Sequence, residues 1–583
     1  MFTAESREAA ALYQQYFDQP IIDGERERIV RAAKSNWNVA TARTDLQLVD
    51  DREVHLDEQT IRVNEHGDWA EVELYEVYSN RTTNQQEVLY YFSLPESAVI
   101  TGLWLGNSSV KADAFVYRVS PRGAAQQIFQ EQVQVRRDPA LVEQLGPTQY
   151  RLRVFPVAPM RHEYSSGFRS ELVAGARQHM WLTYRVLASD AGWQLPQLSV
   201  LRNVYWDGQT QYLLNGENYR PDKAAWLPQT VPATASDVAT GWQQVDFDTG
   251  QSVLLRKATA DDIPPLPSDL KLALVLDRSL SMQAYERDVA ATLRQLQAQN
   301  LDVDLYLTAS AVRGEAPSKV DLAQFEVEEM VYFGGQNSAE LLQQFDALQT
   351  GQTYDAILVL TDASGYELGA PAAPVPHPAA PVWMIHLGGY PLGYDDDTLE
   401  AIQASGGGSV LSMAAALDRI AVAQQHDRIG YDITDGYVWA TVPTAEAAAL
   451  GASTINPNLA PFAARRLILS DMLSQRDHLD ALESLDDLHA IAVENSIVTP
   501  YSSMIVLVNE AQNRRLDQLE NRDDRFEREF EEVDITSDSA LSGLSAVPEP
   551  HEYLLMALAG LMLLWYLKNQ RQVAGLRSGK VAK

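Results

Sequence analysis

The sequence contains no cysteine and comparatively few basic residues, and each shortage excludes a class of function. Without cysteine, the chain forms no disulfides, thiolate zinc sites or cysteine nucleophiles. With 46 lysines and arginines against 79 aspartates and glutamates, its formal charge is −33, which repels nucleic acid and favours cations or basic partners. We therefore expect no nucleic-acid partner.

Signals for export and for catalysis are also missing. The N-terminus, MFTAESREAAALYQQYFDQP, lacks the basic segment and apolar run of a signal peptide, so nothing at the front of the chain as written directs export. The sequence contains no G-x-S-x-G, H-E-x-x-H or P-loop motif, and its ten histidines are scattered without ligand spacing. We therefore assign no catalytic residue and expect a binding protein, not an enzyme.

Composition along the chain predicts several domains. Its 583 residues, 46% of them hydrophobic, are enough for two to four domains with separate cores. The strand-like alternation in WAEVELYEVYSN gives way, after the proline-rich DDIPPLPSDL, to strands that alternate with helices. We expect an N-terminal helical segment (1–45), a β-rich domain (46–260), a linker (261–270), an α/β domain (271–425), a C-terminal accessory region (426–512), a charged helix with a polar linker (513–550), and a tail with a transmembrane helix (551–583).

The segment after the linker has the pattern of an open, mostly parallel α/β sheet. LKLALVLD, at 270–277, is a continuous apolar run typical of a strand buried on both faces, and the helical ERDVAATLRQLQAQ follows it. Further strands are predicted at 301–310, 354–362 and 381–389, with a helix at 339–349. Ligands of such sheets bind at the carboxyl ends of the strands, so the residues at those ends are candidates for a site.

Oxygen ligands follow two of these strands. Asp277 ends the first strand and is followed by Ser279 and Ser281, and a carboxylate with two hydroxyls suits Mg²⁺ or another hard divalent ion. Aspartate and serine also favour helix capping, so this loop alone supports either interpretation. A second strand ends in Thr361 and Asp362, and two like charges at one sheet edge are costly without a cation between them.

These residues resemble a known site. DRSLS (277–281) with the later TDAS (361–364) is similar to the metal-ion-dependent adhesion site of von Willebrand factor type A domains, over about residues 270–425. The resemblance implies a doubly wound α/β fold with Mg²⁺ at the top of the sheet. The family usually supplies a threonine from the intervening loop, often as Gly-Gly-Thr, whereas FGGQNSAELL places Gln336 there. Two interpretations stay open: the glutamine carbonyl binds Mg²⁺, or the site has decayed and the domain is structural.

The β-rich segment carries a second resemblance. NRTTNQQEVLYYFSLPESAVITGLWL, GAAQQIFQEQ and TQYRLRVFPVAP resemble the core, helix and closing strands of the vault and inter-alpha-trypsin inhibitor (VIT) domain. After the α/β segment, IAVENSIVTPYSSMIVLVNE is similar to the stretch that follows the same pairing in inter-alpha-trypsin heavy chains. Together the resemblances cover about residues 50–510, and the matrix-linking chemistry of the heavy chains is not implied.

The end of the chain resembles a sorting signal. VPEPHEYLLMALAGLMLLWYLKNQRQ contains an apolar run, 553–567, long enough for a helix of roughly 22 Å. Five basic residues and no acid follow this run. The pattern is similar to the PEP-CTERM tail of bacterial exopolysaccharide-associated proteins, which implies a transmembrane helix and an exosortase-type membrane enzyme as a partner. The residues of the sorting motif are Val547, Pro548, Glu549 and Pro550.

The leading functional hypothesis is a membrane-anchored, exported interaction or adhesion protein. It binds a protein or polysaccharide ligand through the type A domain, with Mg²⁺ as cofactor. The alternative is a structural or envelope-processing component of an exopolysaccharide export system, with a degenerate metal site. A sorting tail without a signal peptide resembles cyanobacterial PEP-CTERM integral membrane proteins, which carry membrane spans earlier in the chain. We therefore expect a late start codon, and a chain whose bulk is extracytoplasmic if the true N-terminus carries export information.

Overall fold

Two long antiparallel strands open the β-rich part of the chain in this computed structural model. β1 (Val54–Glu65) and β2 (Trp69–Asn80) pair from one end to the other, and Gly67, with φ +76°, lies in the turn between them. Their many β-branched and aromatic residues suit a pleated, buried surface. The structure describes residues 4–18 and 53–528, except 136–137, 165–169, 222–224, 235–240, 300, 310–314, 326–329, 334, 350, 363–374, 390–392, 395, 426–429, 452–453 and 480.

Short strands and one helix follow this hairpin. α1 (Ala4–Phe17) precedes it in the chain, and α2 (Arg122–Gln134) contains GAAQQIFQEQ, the segment that resembles the helix of the VIT domain. The strands are β3 (Gln86–Ser93), β4 (Val99–Gly106), β5 (Phe115–Pro121), β6 (Pro139–Gln144), β7 (Gln149–Val157), β8 (Arg161–Tyr164), β9 (Ser170–Val173), β10 (Gln178–Leu187), β11 (Trp193–Gln194), β12 (Gln197–Arg202), β13 (Val204–Tyr205), β14 (Gln211–Leu214), β15 (Glu217–Asn218) and β16 (Thr230–Val231).

Most of these strands belong to one folded sheet. Its order is β12-β3-β7-β6-β28-β5-β4-β10-β2-β1-β14-β15, with β13 beside β1, and β28 (Ser502–Leu507) comes from far along the chain. Side chains from both halves of the sheet, including Leu74, Leu152 and Met504, meet in a single apolar core. The sheet therefore folds over on itself, while β8–β9 and β11–β16 form separate two-stranded ribbons.

β28 joins the two halves of this sheet. It pairs antiparallel with β5 on one side and with β6 on the other, and all six of its residues are buried. The helix Glu510–Leu519 and α2 cover one face of the strand, where Ile505 packs with Phe129 and Leu516. The sheet of the β-rich part is thus completed by residues that follow the α/β segment.

The α/β segment forms a doubly wound sheet of order β21-β20-β19-β22-β23-β24, parallel except for β21 at one edge. Two of its helices pack on one face and two on the other, as the core residues of each face show. The predicted fold of this segment is therefore confirmed. Its elements are β19 (Lys271–Leu276), α3 (Glu286–Gln299), β20 (Asp302–Leu307), β21 (Ser318–Asp321), α4 (Ser338–Leu348), β22 (Ala356–Asp362), β23 (Val382–Leu387), α5 (Thr398–Ala404), β24 (Gly408–Val410) and α6 (Met413–Gln425).

A third sheet combines residues from before and after the α/β segment. Its order is β25-β26-β18-β17-β27, so strands near 250 pair with strands near 440. The domain boundaries that the sequence predicts at 260, 270, 425 and 512 stay predictions. The strands of this sheet are β17 (Gln243–Asp246), β18 (Gln251–Lys257), β25 (Asp432–Thr434), β26 (Tyr437–Pro443) and β27 (Thr454–Ile455). The helices after the α/β segment are α7 (Thr444–Ala447), α8 (Ala460–Ser474), α9 (Leu482–Glu494) and α10 (Glu510–Leu519).

Buried ion pairs join these three parts. Arg419, on α6, donates to both carboxylate oxygens of Glu96 at 2.7 and 3.0 Å and to Asp432 at 2.7 Å. Arg466, on α8, also donates to Asp432 at 2.7 Å. Burial opposes the ionisation of Asp432, but the two guanidinium groups lower its pKa overall. Because a buried charge without its partner is strongly destabilising, these contacts hold the loop after β3, α6 and the third sheet together.

A second buried cluster holds the α/β segment against the β-rich sheet. Arg122, at the start of α2, and Arg528 both donate to Oε1 of Glu400, on α5. Burial lowers the pKa of Arg122 to about 9, and the nearby charge of Arg528 adds to this effect. All these residues belong to one compact unit, Met1–Phe530.

Several sequence predictions fall on residues outside the described ranges. These are the part of the N-terminal helical segment from 19 to 45, the part of the charged helix and polar linker beyond 528, the sorting motif at 547–550 and the transmembrane helix at 553–567. Within the described part of the chain, no helix is long and apolar enough to cross a membrane.

We predict that residues 53–234 do not form a stable sheet without β28. This fragment lacks the strand that joins β5 to β6, so two strand edges and the apolar residues facing Ile505 become exposed. Adding a peptide of residues 496–528 is expected to restore a cooperative urea transition, followed by circular dichroism. A peptide with Ile505→Asp buries a charge and is expected to fail.

The matched control is the same peptide with Asp523→Asn, because Asp523 is exposed. If residues 53–234 unfold cooperatively by themselves, with the same midpoint with and without the peptide, β28 does not hold the sheet together.

Candidate functional site

Asp277 and Asp362 lie side by side at the carboxyl ends of β19 and β22. The two strands are parallel neighbours, with Leu276 opposite Leu360, and the N–H of Asp277 donates to the carbonyl of Leu360 at 3.0 Å. The charge of Asp362 raises the pKa of Asp277, so the two carboxylates are close enough to interact. The structure thus brings together the two acidic residues that the strand patterns placed at one sheet edge.

Asp277 is buried and receives three hydrogen bonds. Its Oδ1 accepts from the N–H of Ser279 at 2.7 Å and from Oγ of Ser279 at 2.6 Å, and its Oδ2 accepts from Oγ1 of Thr361 at 2.7 Å. Asp277 is 1% exposed, and burial raises its pKa to about 6, with Asp362 adding to the rise and the hydrogen bonds opposing it. Binding of either a proton or a cation stabilises such a carboxylate.

Ser279 connects the first loop to the loop before α4. It is 2% exposed, and its Oγ accepts from the N–H of Gln336 at 3.0 Å while donating to Asp277. Ser281, two residues later, lies half-buried in the 3₁₀ turn Leu280–Tyr285. The predicted ligands Ser279 and Gln336 therefore meet directly, and Ser281 follows in the adjoining turn.

The side chain of Gln336 points to the end of the neighbouring strand β20. Its Oε1 accepts from Oγ1 of Thr308 at 2.7 Å, and its Nε2 donates to the carbonyl of Ala309 at 3.2 Å. Thr308 was not among the predicted site residues, although it follows the end of β20 as Asp277 follows β19. The sequence predicts this strand to run to residue 310, so Thr308 falls inside it and does not stand out as a strand-end residue.

The imidazole of His386 contacts the backbone carbonyl of Asp362. Its Nδ1 lies 2.8 Å from the carbonyl of Asp362, and its Nε2 lies 3.0 Å from the hydroxyl of Tyr394. Because a carbonyl only accepts, Nδ1 carries the proton and Nε2 accepts from Tyr394. Burial lowers the pKa of His386 to about 4, so it is neutral at pH 7. Its isolated position in the sequence carries no signal of this contact.

The atoms that the predicted site offers to a metal ion are all oxygens. Two carboxylates, two serine hydroxyls and one amide carbonyl suit Mg²⁺ and are poor ligands for soft metals. Across the described ranges, the structure brings no three histidine, aspartate or glutamate side chains together as a metal-binding group.

Comparison with known proteins identifies the first domain. Residues 56–164, from β1 through β8, match the family of the vault protein inter-alpha-trypsin domain. The chain therefore carries a VIT domain, as its sequence resemblance predicted. The matched stretch ends before β10 and β28, which complete the sheet.

The other comparisons concern the curated proteins and the solved structures. A search of the curated proteins finds no match. Among solved structures, the chain is similar to a von Willebrand factor type A protein from Catenulispora acidiphila, at 13% identity and a TM-score of 0.20. The similarity covers 48% of this chain and 93% of that chain.

We predict that Asp277→Asn stabilises the chain at pH 8 in the presence of a chelator. A pKa raised from 3.8 to about 6 means that the folded state binds the proton more tightly, so the free energy of unfolding falls as pH rises through this window. Asparagine avoids the buried charge, and the expected gain at pH 8 is about 1–3 kcal/mol, vanishing near pH 4.

Urea unfolding at both pH values measures this difference. Asp288→Asn, at an exposed position on α3, is the control and is expected to show no such pH dependence. Destabilisation by Asp277→Asn at both pH values would contradict the assigned pKa.

Proposed function

We propose that this chain is an exported, membrane-anchored interaction protein and not an enzyme. It binds a protein or polysaccharide partner through a type A-like α/β domain, and Mg²⁺ takes part in this binding. The observation that carries the proposal is the buried Asp277 beside Asp362, because Asp277 forms no ion pair with the described residues. The VIT domain supports it only at the level of an interaction module.

In this proposal, five oxygen-bearing side chains bind the ion. Asp277, Ser279, Ser281 and Asp362 provide carboxylates and hydroxyls at the strand ends, and Gln336 provides an amide oxygen from the loop before α4. A divalent ion there offsets the repulsion between the two carboxylates. Mg²⁺ usually keeps positions for water, and an acidic group of a partner can occupy one of them.

A scaffold role is the second candidate, and one observation favours it. The side-chain oxygen of Gln336 is already bonded to Thr308, and its amide group is bonded to Ala309. In this alternative the metal site is degenerate, and the α/β domain is a structural or envelope-processing part of an exopolysaccharide export system.

We predict that residues 1–528 bind one divalent ion per chain in calorimetric titrations with Mg²⁺ and Mn²⁺. The double variant Asp277→Ala/Asp362→Ala removes both carboxylates and is expected to abolish the heat of binding. Asp288→Ala is the control, because it removes an exposed carboxylate of the same domain. No heat with the unchanged chain, or the same heat with the double variant, favours the scaffold role.

The tail is proposed to anchor the protein in the membrane. Residues 553–567 form one membrane helix, and the basic residues that follow stay on the cytoplasmic side, so the folded domains lie outside. An exosortase-type enzyme recognises Val547, Pro548, Glu549 and Pro550 and cleaves near them. These statements rest on the sequence of the tail.

We predict that a reporter fused after Lys583 is active only in the cytoplasm when the full reading frame is expressed with its upstream region. The chain is expected in the membrane fraction, and a variant with Leu563→Lys and Leu564→Lys is expected to leave it, since two charges interrupt the apolar run. A reporter active only outside would invert the topology. A soluble chain with an intact tail would contradict the anchor.

A further inference from the structure

Two glycines mark close contacts at opposite ends of the connection between β23 and α5. Gly388 directly follows β23 with φ +83°, and a Cβ atom there would overlap the phenol of Tyr285, in the turn that follows Ser279. Gly393 has φ +150°, and a Cβ atom there would lie 2.6 Å from Cβ of Leu145, in the turn between β6 and β7. The connection therefore contacts the candidate site at one end and the VIT domain at the other.

Hydrogen bonds join the same two ends. The hydroxyl of Tyr394 donates to Nε2 of His386 at 3.0 Å, and Nδ1 of His386 donates to the carbonyl of Asp362 at 2.8 Å. The backbone of Tyr394 is held on both sides, because its N–H donates to the carbonyl of Leu145 at 2.7 Å and its carbonyl accepts from Arg528 at 3.0 Å. Tyr394 and His386 are 5% and 1% exposed, so water has little access to these bonds.

Arg528 belongs to a segment that contacts three parts of the chain. Residues 521–528, here called the strap, lie against α2, where a Cβ atom on Gly123 would overlap the strap backbone. Phe526 packs in the apolar core that the third sheet and α8 share, and Arg528 donates to Glu400 on α5 at 3.3 Å. The strap is also the last described segment before the tail. Arg528 thus connects the strap to the carbonyl of Tyr394.

The contact of His386 with Asp362 bears on the candidate site because it fixes the backbone from which the carboxylate projects. Without a cation, the repulsion between Asp277 and Asp362 favours their separation, so holding them together requires support from neighbouring residues. Residues that orient a metal ligand from outside the coordination shell typically change metal affinity by about 10–100-fold when they are replaced. The hydroxyl of Tyr394 is one step further from the ligand, since it orients the imidazole of His386.

We propose that Tyr394 is a positioning residue of the candidate site, and that the VIT domain and the strap control the site by holding this residue. When Arg528 leaves the carbonyl of Tyr394, the hydroxyl of Tyr394 no longer fixes His386, and the backbone of Asp362 is less well held. The site then binds a divalent ion more weakly. The proposal rests on the proposed metal-dependent function and adds its regulation by the segment that leads to the tail.

The first test is a calorimetric titration of the full chain with Mg²⁺ and Mn²⁺. Tyr394→Phe keeps the ring and removes the hydroxyl that donates to His386, and it is expected to weaken divalent-ion binding about tenfold. Tyr354→Phe is the matched control, because it removes a hydroxyl that bonds to Asp304 at the amino end of the same sheet. The control is expected to bind the ion as the unchanged chain does.

The strap is tested in the same titration. Arg528→Gln removes the donor to the carbonyl of Tyr394 and is expected to weaken divalent-ion binding about fivefold. Arg525→Gln is the control, because Arg525 belongs to the strap but donates to Asp486 on α9 at 2.6 Å. It is expected to leave the affinity unchanged.

A second measurement needs no metal and reads the imidazole directly. In ¹⁵N NMR spectra of the full chain labelled at histidine, His386→Gln identifies the resonances of this residue. Tyr394→Phe is expected to shift the Nε2 resonance, because Nε2 loses its hydrogen-bond donor, and Arg528→Gln is expected to shift it in the same direction by less. A loss of stability alone does not produce this shift, and the two control variants are expected to leave it unchanged.

The failure of the metal site and the failure of this proposal give different results. If no variant and not even the unchanged chain binds an ion, but Arg528→Gln shifts the Nε2 resonance, the metal-dependent function is wrong and the connection from the strap to the strand end stands. If the unchanged chain binds Mg²⁺ and Tyr394→Phe binds it equally well, the metal site stands and the positioning role is overturned. If Tyr394→Phe weakens binding but Arg528→Gln changes neither measurement, control by the strap is overturned.

Discussion

The insertion of β28 between β5 and β6 is the constraint on which the rest of the structure depends. Because this strand follows the α/β segment in the chain, that segment is tied to the β-rich sheet at both of its ends. Arg419 and Glu96 add a buried ion pair between residues 323 positions apart in sequence. A loop closed at both ends and fixed by buried charges has few alternative positions, so the strand-end face of the α/β domain keeps a fixed orientation relative to the VIT domain.

Periodicity in the sequence predicts elements well because it reports local burial. The continuous run LKLALVLD became β19, buried on both faces, and the meeting of Asp277 with Asp362 followed from the parallel order of the strands. Periodicity does not say which strand lies next to another when the two are far apart in sequence. The apolar MIVLV in β28 therefore gave no indication that it completes the first sheet.

The sequence points to the candidate ligands of the site but not to the residues that bond to them. Thr308 and Thr361 bond to Gln336 and Asp277 through single hydroxyls, and short polar side chains at strand ends are too common to indicate a particular partner. His386 bonds to a backbone carbonyl, and such a contact depends on the path of the chain and not on residue type. The contact of α1 with this face joins residues more than 250 positions apart, so no local pattern reports it.

Gln336 does not decide between a metal site and a scaffold. Releasing its side chain costs two hydrogen bonds, one from Thr308 and one to Ala309, about 2 kcal/mol net, and Thr308 retains an acceptor in the carbonyl of Leu276 at 3.0 Å. The cost of keeping Asp277 ionised and buried beside Asp362 is larger, since it raises the pKa of Asp277 to about 6. The charge of these two carboxylates, which a cation neutralises and a glutamine does not, therefore determines whether the site binds a divalent ion.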